Sequence, residues 1–373
     1  MTAVIKHIRN TTAGLPPAAG NLVAGQLAIN TSDANLYTLD ALGNVRLLAS
    51  AAVTANAYTS TNTTNQLVKT INGVSPDSTG NFTLGATKNK LINGRFRLNQ
   101  YGNPASGAIA TFVADRWYMF SNGATVTTAT GTTGSDTTYL SWQETSGTGA
   151  PYISQSINDV STLNGQTVTV SFLINVSKGM SFTPSLFQNF GSGGSSTVTL
   201  SGTPIAVPAN TWTRCQQTFS IPSVVGKTLG TNHYLRFQLA TTAAPGTFTA
   251  LITEVQLEQG PSYTGFEFKD LSVMANECLF YYEAFPGSPF AWSGQVGNTQ
   301  VPQMTVQYAY KRVNNPTLVA SNVSSSGLAA GNPTIASQTN NGARLNLPAG
   351  NVLLGAFGTY SFGLTVNAEL PTT

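Results

Sequence analysis

Charge is what this 373-residue chain has least of. Asp, Glu, Lys and Arg together make up 8% of it, about a third of the usual share. Two states carry so little charge: a disordered polar chain, and a β-rich protein solvated by hydroxyls and amides. Disorder goes with low hydrophobicity. Here 41% of residues are hydrophobic, with 18 Phe, 13 Tyr and 4 Trp, so the composition points to β structure. Seventeen basic residues against fourteen acidic leave a net charge of +3. With no basic cluster interleaved with aromatics, that balance argues against a nucleic-acid protein. Cysteine is scarce as well. Cys215 and Cys278 stand in no metal or redox spacing and read as two buried thiols rather than a disulfide framework. The opening MTAVIKHIRN has neither a signal-peptide core nor a membrane-spanning run. The expectation is a soluble chain made in a cytoplasm, with no membrane insertion and no obvious export route.

What is present is a series of short runs with a two-residue period. In VTVSFLIN, Val168, Val170, Phe172 and Ile174 take one face and Thr169, Ser171, Leu173 and Asn175 the other. Between residues 89 and 268 such runs recur near Leu91–Phe96, Arg116–Phe120, Thr137–Trp142, Tyr152–Ile157, Gln166–Asn175, Thr197–Leu200, Thr211–Ile221, His233–Ala240 and Phe248–Leu257. Turn signals such as Asn164-Gly165 and Pro245-Gly246 separate them, which predicts an antiparallel sandwich of nine or ten strands. The stretch Leu251–Tyr282 then changes period. Ile252, Glu254, Gln256 and Glu258 alternate with Leu251, Thr253, Val255 and Leu257. After Asp270, a suitable N-cap, Leu271, Met274, Cys278 and Leu279 fall at helical spacing.

The expected architecture is mostly β in five segments. Residues 1–50 form a small β module, with strands at Gln26–Ile29 and Leu36–Leu39 around the turn Asn30–Asp33. So few strands bury little alone, and oligomerisation is expected to supply the missing surface. Residues 51–88 form a shaft linker, 89–268 the sandwich, 269–282 a junction helix, and 283–373 a second β-domain. In that last domain MTVQYAYKR alternates Met304, Val306, Tyr308 and Tyr310 against Thr305, Gln307, Ala309 and Lys311.

Several stretches resemble one family in order. NKLINGRF (89–96) and ADRWYMF (114–120) look like the opening of the carbohydrate-binding-module-like jelly-roll domain of phage tail fibres. YISQSINDVSTLNGQTVTVSFLINVSKG, TWTRCQQTFSIPSVVGKTLGTNHYLRFQLA and ITEVQLEQGPSYTGFEFKDLSVMANECLFYY resemble its middle, later strands and ending. GQLAINTSDANLYTLDALGNVRLL resembles the N-terminal module of such fibres, and INGVSPDSTGNFTL the short repeat of trimeric shafts. For 283–373 the likeness is only to the general character of a fibre tip, with KRVNNPTLVAS as the clue. The resemblance implies a jelly-roll sandwich, a homotrimer and an N-terminal end fixed to phage tail or baseplate proteins. It also implies a virion location and distal domains that meet host surface glycan. Related modules hold a structural Ca²⁺ with a Glu just after the opening motif and an Asp in the final strand. Here those positions are Arg97 and Glu254, which can pair as a salt bridge instead. No cofactor is expected, and Ca²⁺ only as a structural alternative.

Chemistry is thin. Glycosidases use two carboxylates about 5 to 10 Å apart, whereas Glu254 and Glu258 lie roughly 13 Å apart along one strand. His7 and His233 lie near no G-x-S-x-G elbow, and there is no P-loop and no H-E-x-x-H. No catalytic or metal residue is assigned. Sugar binding needs only aromatic faces flanked by amides. The candidates are Trp142, Tyr152, Tyr308, Tyr310 and Trp292, the last beside the loop FPGSPFAWSG, while Trp212 reads as core. Packing competes with binding at each of them. Leu271, Met274 and Leu279 are expected to face their copies at a trimer axis. The expected function is a receptor-binding tail fibre, a multivalent non-catalytic adhesin for host glycans. The alternatives are a depolymerase tailspike and a purely structural baseplate or neck fibre.

Overall fold

Alternation of small polar and apolar side chains yields strands along much of the described chain. The structure, a computed structural model, describes residues 8–49, 87–102, 105–133, 137–242, 245–295, 301–348 and 357–371. The expected shaft, with INGVSPDSTGNFTL, lies outside the described residues. The chain divides into two compact units, 1–86 and 87–373.

In the first unit, β1 (Ile8–Asn10) pairs in parallel with β2 (Leu27–Asn30), which forms a hairpin with β3 (Asn35–Leu39), followed by β4 (Val45–Ala49). Asn30 shapes the hairpin turn. Its buried Nδ2 donates to the carbonyls of Thr12 and Leu15, and its Oδ1 accepts from the N–H of Ser32 and Asp33. Among the described residues only Leu22, Ala28 and Tyr37 form apolar core here, while Leu15, Val23, Leu42, Leu47 and Leu48 stay exposed.

The second unit begins with a two-sheet sandwich. Its strands are β5 (Ala105–Gly107), β6 (Ala110–Ala114), β7 (Trp117–Phe120), β8 (Thr125–Thr132), β9 (Thr138–Ser146), β10 (Tyr152–Asn158), β11 (Thr167–Val176), β12 (Met180–Asn189), β13 (Val198–Ser201), β14 (Ile205–Val207), β15 (Thr213–Ser220), β16 (Tyr234–Thr241) and β17 (Phe248–Gln259). One sheet runs β15-β11-β17-β9-β8-β5. The other runs β13-β12-β16-β10-β7-β6, with β14 also on β12. Phe172, Phe182, Leu186, Phe237, Leu239, Ile252 and Trp142 meet between them in one apolar core.

Three strand expectations are corrected. The strand expected at Leu91–Phe96 is a turn, because Asn93 adopts φ 56° and Gly94 lies against the carbonyl of Val255. The expected alternation of β17 breaks at Glu254, which has φ 52° where the pairing with β11 slips. Phe248, Ala250 and Ile252 face the core before the bulge, and Val255 and Leu257 after it, so Gln256 and Glu258 turn away from the side that Ile252 takes. The sandwich also has more strands than expected. One of the extra strands, β12, contains Pro184. That residue sits between the stretches paired to β14 and β13, at a point where neither needs its missing N–H.

After β17 come α1 (Leu271–Leu279), β18 (Tyr282–Gln295), β19 (Gln303–Gln307), β20 (Thr317–Ser326), β21 (Thr334–Gln338), β22 (Gly342–Asn346) and β23 (Phe357–Asn367). These strands form two three-stranded sheets, β18-β23-β20 and β19-β22-β21, around a second core that includes Val306, Leu345, Phe362 and Leu364. Asp270 precedes α1, but its side chain makes no capping hydrogen bond. Of the three residues expected at a trimer axis, Met274 is already covered within the chain. Met274 and Cys278, one turn apart, are both buried within the chain, whereas Leu271 is 45% exposed and Leu279 half-buried. Both cysteines are free and buried. No helix among the described residues is long and apolar enough to cross a membrane.

Candidate functional site

The two sandwich sheets differ in what lies over their outer faces. Over the β11–β17 sheet runs the segment 260–269. Thr169 donates through Oγ1 to the carbonyl of Gly260 at 2.8 Å and Thr218 to that of Pro261 at 3.0 Å. Beneath the segment Gln256 and Glu258 are fully buried. The Glu258 carboxylate accepts from Gln256 Nε2 at 2.8 Å, from the N–H and hydroxyl of Thr264, and has Lys88 Nζ at 3.8 Å. The motif NKLINGRF fastens this arrangement. Asn89 spans Leu91 N–H, Leu257 N–H and Val255 O, while Glu267 accepts the N–H groups of Lys88 and Asn89. Asn93 reaches the carbonyls of Leu98 and Asp115 and accepts Trp117 Nε1–H. These residues are a structural clip, and this face is spent on packing.

The β10–β16 sheet is different. Ile153, Leu235, Phe237, Leu239, Phe182 and Leu186 point inward, so the alternate residues point out. Cross-strand pairing lines them up as Phe120–Tyr152–Ala240–Thr183, then Tyr118–Ser154–Gln238–Ser185, then Ser156–Arg236–Phe187. Phe120 and Tyr152 have ring centroids 5.4 Å apart, and the Arg236 guanidinium lies 4.5 Å from the Phe187 centroid. Phe120, Tyr152, Phe187, Arg236 and Gln238 are all half-exposed. Partial burial raises the Tyr152 pKa, so its hydroxyl stays neutral and able to donate. Among the described residues these three rows contain no carboxylate.

One end of this face is closed from within the same unit. Ser156 Oγ donates to the carbonyl of Pro371 at 3.2 Å, Leu370 packs with Tyr234 and Tyr281, and Arg116 pairs with Glu369. A void of about 10 Å³ remains there, lined in part by Tyr118, Ser154, Glu369 and Leu370. The open part is therefore the Phe120–Tyr152–Gln238–Arg236–Phe187 patch, a shallow surface with two aromatic platforms and polar groups between them. Such a surface can hold a sugar ring by its C–H face and its hydroxyls.

Of the expected contact residues only Tyr152 lies here. Trp142 is fully buried, edge-on to Phe182 and Phe248 at 5.9 and 5.6 Å. It is core because it points inward from β9. Tyr308 is also buried, its hydroxyl between the carbonyls of Thr339 and Gly342 at 2.8 and 3.0 Å. Neither can touch a ligand. Trp292 is half-buried against the second core and pairs with Tyr360 across β18 and β23. Tyr310 leaves the strand register because β19 ends at Gln307; it is 60% exposed and stacks on Phe280 at 6.3 Å. Trp212, expected in the core, is exposed in the bend before β15.

The donors for a structural Ca²⁺ do not fit. Arg97 and Glu254 do not pair; Glu254 pairs with Arg214, whose guanidinium lies 4.8 Å from the Tyr263 ring centroid. Two cations and one neutralised carboxylate cannot supply an anionic oxygen cage. Among the described residues no group of three His, Cys, Asp or Glu side chains gathers. A different acid is unusual. Glu144, on the inward side of β9, is fully buried with no hydrogen-bond partner on either oxygen among the described residues, and burial raises its pKa against the pull of Lys178.

No family model matches the chain, and no curated protein matches it. Among solved structures, similarity covers part of the chain. The CBM22-1 xylan-binding domain from Paenibacillus barcinonensis Xyn10C is 16% identical over 43% of this chain and 95% of that domain, with a TM-score of 0.29. The C-terminal family 22 carbohydrate-binding module of Clostridium thermocellum Xyn10B is 16% identical over 49% of this chain and 99% of that one, at 0.31. The enzymatically active domain of bacteriophage CBA120 tailspike protein 4 is 14% identical over 46% of this chain and 22% of that chain, at 0.31. Such scores describe a partial overlay of strands and assign neither a ligand nor a reaction to this chain.

Proposed function

We propose that this chain is a phage tail fibre that attaches the virion to host surface glycans by non-catalytic binding. The observation that carries the reading is the half-open face of Phe120, Tyr152, Phe187, Arg236 and Gln238, set on a rigid sandwich. Aromatic faces and neutral amides suit a saccharide, and the three cross-strand rows carry no acid–base pair that would cleave one. The ordered family resemblance along residues 20–282 supports the tail-fibre assignment. A homotrimer fits the first unit, whose described residues leave six large aliphatic side chains in solvent, Leu27 among them, and only three apolar residues in a core. Three copies of a weak site raise avidity by about 10² to 10⁴.

The test is binding of the full chain and of Tyr152→Ala to surface polysaccharides extracted from a panel of bacteria. Retention of one polysaccharide by the wild type and its loss in the variant is the expected result. A fall in polysaccharide size on incubation would instead mark a depolymerase. Absence of any retained polysaccharide, together with particles that fail to assemble without the chain, would mark a structural fibre.

A further inference from the structure

A second concave site lies on the opposite sheet, at the corner where the opening motif meets segment 266–269 and α1. Its cavity of about 30 Å³ is lined by Arg95, Arg97, Phe266, Phe268, Lys269 and Met274, with Asn89, Glu267 and neighbouring main chain as its floor. That volume accommodates about two waters, the size of a carboxylate group.

The charges around the cavity are unevenly committed. Both Glu267 oxygens are taken by the N–H groups of Lys88 and Asn89 at 3.0 and 2.7 Å. Lys269 is paired with Glu277 at 2.9 Å. The Arg95 guanidinium lies 5.2 Å from the Phe268 ring centroid. Arg97 is exposed and, among the described residues, has no hydrogen bond or ion pair. Lys90 flanks the site as a further cation, and burial, the main effect on its pKa, lowers it. Phe268 stands 67% exposed beside them, edge-on to Phe266 at 5.2 Å. An exposed Phe beside an uncommitted Arg is an open half of a contact: a ring that keeps 67% exposure with the Arg95 guanidinium over it, and a planar double donor.

We propose that this corner binds the carboxylate of an acidic sugar. Arg97 supplies the forked donor, Arg95 and Lys269 the surrounding positive field, and Phe268 the platform for the ring's C–H face. Inorganic phosphate is the poorer match. Phosphate sites draw on converging main-chain N–H groups, and here those of Lys88, Asn89, Phe96 and Leu98 are already bonded within the chain. The assignment of a sugar rather than another carboxylate rests on the glycan-binding reading above. It adds a separate acidic-residue subsite, on the opposite sheet from the Tyr152 face.

The experiment is equilibrium titration of the full chain with sodium glucuronate, glucose and sodium sulfate, at about 50 and 500 mM NaCl. It includes Arg97→Ala, Phe268→Ala and, as a control outside both faces, the exposed Val225→Ala. Glucuronate is expected to bind saturably and to weaken in high salt. Arg97→Ala should lower its affinity about tenfold and Phe268→Ala about threefold, with Val225→Ala unchanged. Three results would overturn the proposal: no saturable glucuronate binding, binding indifferent to Arg97→Ala, or sulfate binding as tightly with Phe268→Ala silent. The polysaccharide test of Tyr152 can fail while this titration succeeds, so the two readings fall separately.

Discussion

Arg116 and Glu369 form an ion pair with both side chains almost wholly removed from solvent. Arg116 also donates to the carbonyl of Ser156 and lies over the Tyr281 ring, 3.4 Å from its centroid. The pair ties the sandwich to the chain that leaves β23. Nearby, Tyr101 stacks on Tyr282 at 3.9 Å and Arg312 donates to the carbonyl of Ala368 at 3.0 Å.

Arg116→Ala strands the Glu369 carboxylate and is expected to cost about 3 to 5 kcal/mol of unfolding free energy. Arg116→Met combined with Glu369→Leu should recover most of that loss. Urea unfolding of the three proteins checks both statements. A single variant as stable as the parent would refute the buried-pair account.

Tyr152→Ala and Trp142→Ala should separate binding from folding. Tyr152 lies on the surface, so its removal is expected to leave the unfolding midpoint within about 0.5 to 1 kcal/mol of the parent. Trp142 fills the core, and truncation there costs about 3 to 5 kcal/mol. Thermal unfolding alongside polysaccharide retention distinguishes the two outcomes.

Glu144 holds its proton to higher pH in the folded chain than in the unfolded one, because burial raises its pKa. The folded state therefore binds more protons just above the ordinary carboxylate pKa, and stability falls as pH rises through that window. Glu144→Gln should be more stable than the parent at pH 7 by about 1 to 3 kcal/mol. The difference should shrink as pH is lowered towards 4. Denaturant midpoints at the two pH values test it, and a variant no more stable at pH 7 contradicts it.

Both thiols should be silent towards a thiol-specific reagent at pH 8 in the native protein. Burial pushes Cys215 up to about 11 and Cys278 higher still. Two thiols are expected to react only after denaturation. Rapid titration of either in native buffer would place it at the surface.

Much of the strand pattern was legible because alternation survives wherever one face is buried, as in Val168–Ile174. It failed where local geometry broke the period. The bulge at Glu254 moved Gln256 and Glu258 to the opposite face, and no composition signal marks a bulge at a non-glycine residue. Pro184 hid β12, and with it Phe187. Arg236 and Gln238 are readable as the outward positions of HYLRFQLA, but neither residue type by itself signals a sugar contact. Trp142 is buried; an aromatic on a strand reports burial as often as exposure. Tyr152 was found because it begins a strand whose next residue, Ile153, is plainly core.

The clip at Asn89 also governs when the sandwich can be completed. Asn89 Nδ2 donates to Val255, 166 residues along the chain, and its main-chain N–H to Glu267, 178 residues along. Contacts at that separation close the largest loops and slow folding. During synthesis the local hairpins β6–β7 and β8–β9 can pair early, but the clip at Asn89 cannot close until Val255 and Glu267 have emerged. Closure of the sandwich is thereby timed to the arrival of β17 and the segment behind it, and not to the emergence of its first hairpins.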